Sequence, residues 1–430
     1  MNKILNFISL FIFLSLGSCK NNVSPNYYNQ SVKQGIQIGI DLTGNNVCKA
    51  SNIYDSLTYI KLETTPDCVI GVIDIIIPVN DRFIVVDKTV SKSIFLFDTK
   101  GKFITKIGTT GRGAKEFDSP DDVTYNKYRE EIVVWCNNLK KILTYKIDGT
   151  FLSEVKLDYY VYALSVYDKT TLVVFLNNVV ENTLPEGDKY NLLFLDLNGN
   201  IISKQAPVDI KKDKFSGPCN HSFSSYKDSQ LFFFPYKNTI NTIYRDSIVP
   251  RYYVNYRTQN LPEELLAGKT FRQVYKEIKT MDVGVLTRFL ETDSYIYLAS
   301  NYGKLPINSI YNKRTKKVST FTLAVNDIKT LYPLPVIIAV SDDSLIGYCE
   351  SHQFVPLKDL YKNISKESQN INNVINGNYQ NLPNGGLKSN FLRVLEDIDF
   401  KMDKEEIDFV SNINESDNPI IIIGRLNKSI

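Results

Sequence analysis

One hairpin recurs at near-fixed spacing, and this restricts the fold more than any other feature. Gly101 sits in FDTKGKF, Gly149 in YKIDGTF and Gly199 in LDLNGNI. The intervals are 48 residues (101 to 149) and 50 residues (149 to 199). A period near fifty with several short strands per unit is the signature of a propeller or a solenoid array. Each unit parses into four strands. In the second they are expected at Pro120–Asn126, Glu131–Cys136, Lys141–Ile147 and Phe151–Leu157. Asp148-Gly149 and Asn198-Gly199 join the last two strands of their units. Both dipeptides suit a tight hairpin whose central residues have positive φ.

Carried along the chain, this parse gives six blades, with seven blades or an unclosed array as alternatives. Blade one spans Gly71 to Ile107 and blade three Val161 to Ala206. Blade four spans His221 to Tyr256 and blade five Val283 to Leu323. Blade six offers Pro333–Val340, Ser344–Cys349 and then, far along the chain, Pro419–Leu426. Its fourth strand is missing, and Leu57–Glu63 (LTYIKLE) is the candidate to complete it and close the ring. Tyr (27) and Phe (23) against Met (3) favour strands over a helical bundle. The fold expected is all-β: a six-bladed β-propeller of four-stranded antiparallel blades over residues 56–430, with two helical insertions.

The stretch GTTGRGAKEFDSPDDV contains Gly108, Gly111, Gly113, Phe117, Pro120 and Val123. It resembles the NHL-repeat junction, in which a Gly-rich loop leads to a Phe, a Pro and an apolar strand. From about residue 56 to 430 the chain is similar to the NHL-like six-bladed propeller lipoproteins of Bacteroidetes. The junction appears fully once, and the later blades are degenerate.

Residues 1–18 read as a targeting segment outside the fold. Lys3 starts it, and the apolar run Ile4–Leu16 is too short to cross a bilayer needing ~20 apolar residues. Leu16-Gly17-Ser18-Cys19 resembles a bacterial lipobox, which implies lipid attachment at Cys19. An ordinary secretory cleavage site is the alternative. The lipobox implies a partner, the membrane, and a location in the cell envelope, with the outer membrane as the expected site. Residues 19–55 are polar and read as a tether. Of six cysteines, five remain after Cys19, so at least one is unpaired. Cys48 and Cys68 could pair, although connectivity is not readable from sequence. With 50 Lys and Arg against 47 Asp and Glu and no basic stripe, nothing supports a nucleic-acid partner.

Two stretches break the strand rhythm. In 257–282, Asn260 reads as a helix N-cap, and Phe271, Val274, Tyr275 and Ile278 share one helical face. In 350–418, Phe391, Val394, Leu395 and Ile398 repeat that spacing. Packing against the propeller is the simplest role for both stripes. Strand parity puts these insertions and the Arg112 loop on one face of the ring, where they would crowd one mouth of the channel.

Few residues invite chemistry. Gly111-Arg112-Gly113 lacks the Lys-Ser/Thr pair and the helix of a phosphate loop, so it reads as a tight interblade turn presenting Arg112. His221 and His352 are the two histidines, in no zinc-type spacing. His221 opens an inner strand of blade four, as a structural residue or as a ligand in the channel. Asp122, beside Asp121, opens the inner strand of blade two, and Glu291 ends that of blade five. Either could face the channel and hold a divalent cation through oxygen, but no cofactor is called for. Arg112, Asp122, His221 and Glu291 are thus the candidate binding residues, with no catalytic set. The function expected is a membrane-anchored, exported binding or scaffold module for a protein, peptide or glycan. The resemblance leaves open a metal-dependent propeller hydrolase or lyase of gluconolactonase-like type.

Overall fold

The protein is described by a computed structural model. It covers residues 35–42, 46–179, 184, 189–218, 221–329, 332–358, 385–398, 403–428 and 430. Cys19, Cys219 and the targeting segment lie outside the described residues, as do residues 20–34 of the expected tether.

Six four-stranded antiparallel blades form the molecule. The first strands, a, are Ile75–Val79, Asp122–Asn126, Ala163–Asp168, Phe223–Tyr226, Gly284–Glu291 and Val336–Ser341. Each touches the next in a closed cycle, the sixth returning to the first. Blade six runs Val336–Ser341, Ser344–Cys349, Ile420–Leu426 and finally Tyr54–Lys61. The last pairing runs antiparallel from Ile420 opposite Lys61 to Leu426 opposite Tyr54. The ring therefore closes with an N-terminal strand, because the C-terminal blade has no other partner for its unpaired edge.

The core follows from strand alternation. Each blade buries both faces, so its middle strands are continuous apolar runs such as EIVVWC at 131–136. Six large apolar clusters fill the six blade interfaces in turn. Ile84, Leu96 and Val134 lie between blades one and two, for example, and Phe175 with Phe232 between three and four.

The recurring glycine has two causes. Gly101, Gly149 and Gly199 have φ of +81°, +87° and +84°. Their neighbours Asp148 and Asn198 are not among the residues of positive φ, so the turns are not the two-residue type expected. Instead, the Gly N–H closes on the carbonyl three residues earlier, at Asp98, Lys146 and Asp196. A register shift follows in all three hairpins. This is a turn ended by a glycine bulge. The second cause is proximity to the preceding blade: a Cβ on Gly101 would lie 2.2 Å from the Lys61 carbonyl oxygen.

The expected tether is shorter than residues 19–55. Strand β1 (Ile36–Gly39) pairs in parallel with the outer strand of blade four, Ile36 opposite Tyr252. Strand β2 (Val47–Lys49) pairs with Leu323–Val325 beside blade five, and β3 (Tyr54–Lys61) completes blade six. Ile38, Ile40, Leu42 and Ala50 are buried. The segment thus straps three blades together. Its mixture of polar and apolar residues alternates with strand period, which composition alone does not register.

In the first insertion the α-helix α1 spans Phe271–Ile278. Thr270, not Asn260, caps it, forming a capping box with Gln273. Asn260 instead accepts from the Tyr256 N–H. Val274 is buried against Phe215, Leu261 and Leu266, whereas Tyr275 is exposed. In the second insertion, helix α2 (Gly385–Glu396) buries Phe391 and Leu395 on Val325. Helix α3 (Lys404–Ser411) buries Val410 in the blade five–six core, and the Tyr332 hydroxyl donates to the Glu406 carbonyl. Both insertions are b–c or d–a connections, so strand direction puts them on one face. The described helices pack on outer strands and connections, away from the ring axis. Among the described residues no helix is long and apolar enough to cross a membrane.

Candidate functional site

The first strands of the six blades enclose a cavity of about 400 Å³. Each is an edge strand, paired on one side only, so its other row of backbone N–H and C=O groups faces the axis. One end reaches the a–b turns, where Lys127, Lys227 and Asp228 are 53, 63 and 90% exposed. At the other end the Asp122 side chain is 15% exposed. The cavity therefore reaches solvent on the face opposite the helical insertions. No described insertion residue lines it, so the described parts of the insertions do not form its mouth, where parity had placed them.

The lining is two-sided. Blades five, six and one contribute Leu290, Ile338, Ala339, Val340 and Ile75–Pro78, all apolar. Every polar side chain comes from blades two, three and four, including Asp122, Thr124, Ser165, His221, Ser222, Ser224, Ser225 and Gln230.

Two of the four candidate binding residues meet at the buried end. The Asp122 carboxylate accepts the Leu164 N–H at 2.8 Å, tying blade two to blade three. Lys88 of blade one stands 3.9 Å from its other oxygen. Burial pushes the Asp122 carboxyl up, while Lys88 and the Leu164 N–H pull the other way. Asp121 is turned to the Asn137 N–H at 2.7 Å. His221 contacts the Arg288 guanidinium through Nε2, and Arg288 also donates to the Ile337 carbonyl. This contact joins blades four, five and six. Burial, then the positive Arg288 and Lys88, hold the imidazole well below its ordinary value, so it is neutral at neutral pH. Next to it the Ser222 hydroxyl is buried, without a hydrogen-bond partner among the described residues.

The other two candidates lie elsewhere. Arg112 is exposed on its loop, where Gly113 donates to Glu116 at 2.8 Å, and its charge acts on Asp118. It does not line the cavity. Glu291 does not face the channel as expected. Its side chain is fully buried and takes Arg251 at 2.8 Å, Lys313 at 2.6 Å and the Tyr252 hydroxyl at 2.8 Å. It is a cross-blade structural anion. Lys88, Ser222 and Arg288 were not singled out from sequence. Arg288 follows a register shift in its strand, and such bulges leave no local sequence mark.

Among the described residues no group of three or more His, Cys, Asp or Glu is placed to hold a metal ion. Cys48, Cys68, Cys136 and Cys349 are free thiols. Cys48 packs in the blade five–six core and Cys68 in the blade six–one core, so the weighed Cys48–Cys68 pair is not formed.

A family model described as a domain of unknown function, DUF4934, matches residues 36–378. No curated protein matches the chain. Among solved structures, a Bacteroides fragilis protein described as exported is similar over 92% of this chain and 100% of its own, at 18% identity and a TM-score of 0.69. That likeness is one of fold. A DUF4221 member from Bacteroides vulgatus covers 70% of this chain and 93% of its own, at 11% identity and a TM-score of 0.47. BamB from Moraxella catarrhalis covers 68% and 72%, at 12% identity and a TM-score of 0.38. At those scores the likeness carries no argument.

Proposed function

The chain belongs to the DUF4934 family of domains of unknown function, and on that footing we propose that it is an exported binding module held at the cell envelope by lipid on Cys19. Its ligand, a protein, peptide or glycan component of the envelope or its surroundings, occupies the central channel. The observation that carries this reading is the uneven lining of the cavity: blades five, six and one contribute apolar residues alone, and every polar side chain comes from blades two to four, where it stands among apolar ones such as Val123, Leu164 and Phe223. Ligand sites combine apolar walls with a few placed polar groups in this way. The groups at the buried end suit binding better than turnover. Asp122 is engaged by a backbone N–H and His221 by Arg288, so neither is positioned as a free base beside a nucleophile. The lipobox-like Leu16–Cys19 and the signal-like run before it support export and anchoring.

The test is capture from envelope extract by the mature chain in detergent, beside a Thr124→Trp variant that fills the channel. The ligand should be retained by the wild type and lost by the variant, with melting temperatures unchanged. Equal retention by both refutes the channel as the site.

A further inference from the structure

We infer that the channel takes a short neutral saccharide, which enters from the face of the a–b turns and lays its hydroxyl edge on blades two to four and its C–H face on blades five, six and one. This rests on the reading of the protein as a channel-binding module and names the ligand's chemistry.

Three observations lead there. The first is the two-sided wall. A sugar ring has an apolar C–H face and a polar rim, which the apolar Ile77, Ile338 and Leu290 and the hydroxylic Thr124 and Ser224 match. The second is the direction of the hydrogen-bonding groups. Six edge strands surround the cavity, so backbone donors and acceptors arrive from all sides. A peptide strand carries its hydrogen-bonding groups along two opposite edges and would leave most of these unmet. A saccharide carries hydroxyls around its whole circumference, each both donor and acceptor. The partly exposed Thr124 and Ser224 hydroxyls of the lining are placed to meet them.

The third is charge. The mouth lysines are offset, Lys127 by Asp228 at 3.3 Å and Lys227 by Asp293 at 3.2 Å. Asp122 faces Lys88, and Arg288 is turned to His221 and the Ile337 carbonyl, not into the lining. Each charged side chain in the described lining thus has an opposite charge beside it. A volume of about 400 Å³ lies at the small end of ligand pockets and accommodates roughly two hexose rings.

The chain supplies its own reporter. Its single tryptophan, Trp135, is buried and lies directly across the strand pair from Asp122 at the cavity's inner end. The probes are cellobiose, maltose, lactose and xylobiose, titrated into the mature full chain while Trp135 emission is followed. Trialanine and digalacturonate form the comparison arms. At least one neutral disaccharide should give a saturable change. Ser224→Ala should weaken it about tenfold, the loss of one hydrogen bond worth about 1.4 kcal/mol. Thr124→Val, which keeps the side-chain shape, should weaken it similarly. No response to the four disaccharides overturns the inference, as does a response that survives both substitutions. Binding of trialanine alone, abolished by the same substitutions, overturns the saccharide, and binding of digalacturonate alone overturns its neutrality; either leaves the channel module standing. If Thr124→Trp also leaves envelope capture unchanged, the module reading falls with it.

Discussion

Asn418 should be among the most costly side chains to remove, although it lies far from the channel. It precedes the third strand of blade six and is 1% exposed. Its Oδ1 accepts the Ile70 N–H at 2.8 Å, and its Nδ2 donates to the carbonyls of Glu63 at 2.7 Å and Cys68 at 2.5 Å. These three groups belong to the segment by which the chain leaves β3 and enters blade one, so Asn418 locks the joint where the ring closes. Asn418→Ala removes all three bonds. The Glu63 carbonyl keeps a second donor, the Cys68 thiol. The Ile70 N–H and the Cys68 carbonyl are left buried and unmet, at about 1–3 kcal/mol each. The expected loss is therefore about 2–6 kcal/mol, with about 4 as the working value. Asn412→Ala is the control, because its side chain donates to a carbonyl at an exposed helix end. Urea unfolding of the unlipidated chain reads both variants, as a shift of the midpoint at unchanged slope. A loss below about 1 kcal/mol for Asn418→Ala, or one equal to the control, would show that the joint is not held this way.

Three other outcomes are expected. A chain starting at Ser51 should melt well below one starting at Gly35, because it loses buried Ile38, Ile40 and Leu42. At about 1.5–3 kcal/mol each, that is up to about 5–9 kcal/mol; equal melting of the two chains would refute the strap. Asp87 is fully buried and accepts four N–H groups within 3.1 Å, from Gly71, Thr89, Val90 and Ser91. Burial alone would raise its pKa, but the N–H groups win and hold it below the usual carboxylate range. Its stabilisation is then complete above about pH 4 and is lost as pH falls through the lowered value. Asp87→Asn should accordingly be weaker than wild type at pH 7 and converge on it in strong acid. A gap that persists unchanged at low pH would contradict this. Cys19→Ala should release the protein from membranes or stall its maturation; membrane fractionation with the wild-type mass shift would rule out lipidation there.

Much of the architecture was legible because it is local or periodic. The glycine interval gave the blade length, and alternation gave the strands. The missing fourth strand of blade six pointed to Leu57–Glu63, and the strand that closes the ring, Tyr54–Lys61, overlaps it. The candidate site was legible only in part. Asp122 and His221 were singled out because they open inner strands, and both reach the channel. Glu291 occupies the opposite end of its strand, where Arg251, Lys313 and Tyr252 of the blade interfaces enclose it. That end lies beside the a–b turns at the open mouth, and nothing along the chain marks that its side chain turns into the blade interface instead of the channel. The strap from Ile36 to Ala50 passed for a tether, because its partners lie more than 200 residues away. The two-sidedness of the channel is likewise absent from any single blade. Each blade contributes one short strand to it, and only closure of the ring sets the three strands that line it with apolar residues alone opposite the three that carry all its polar side chains.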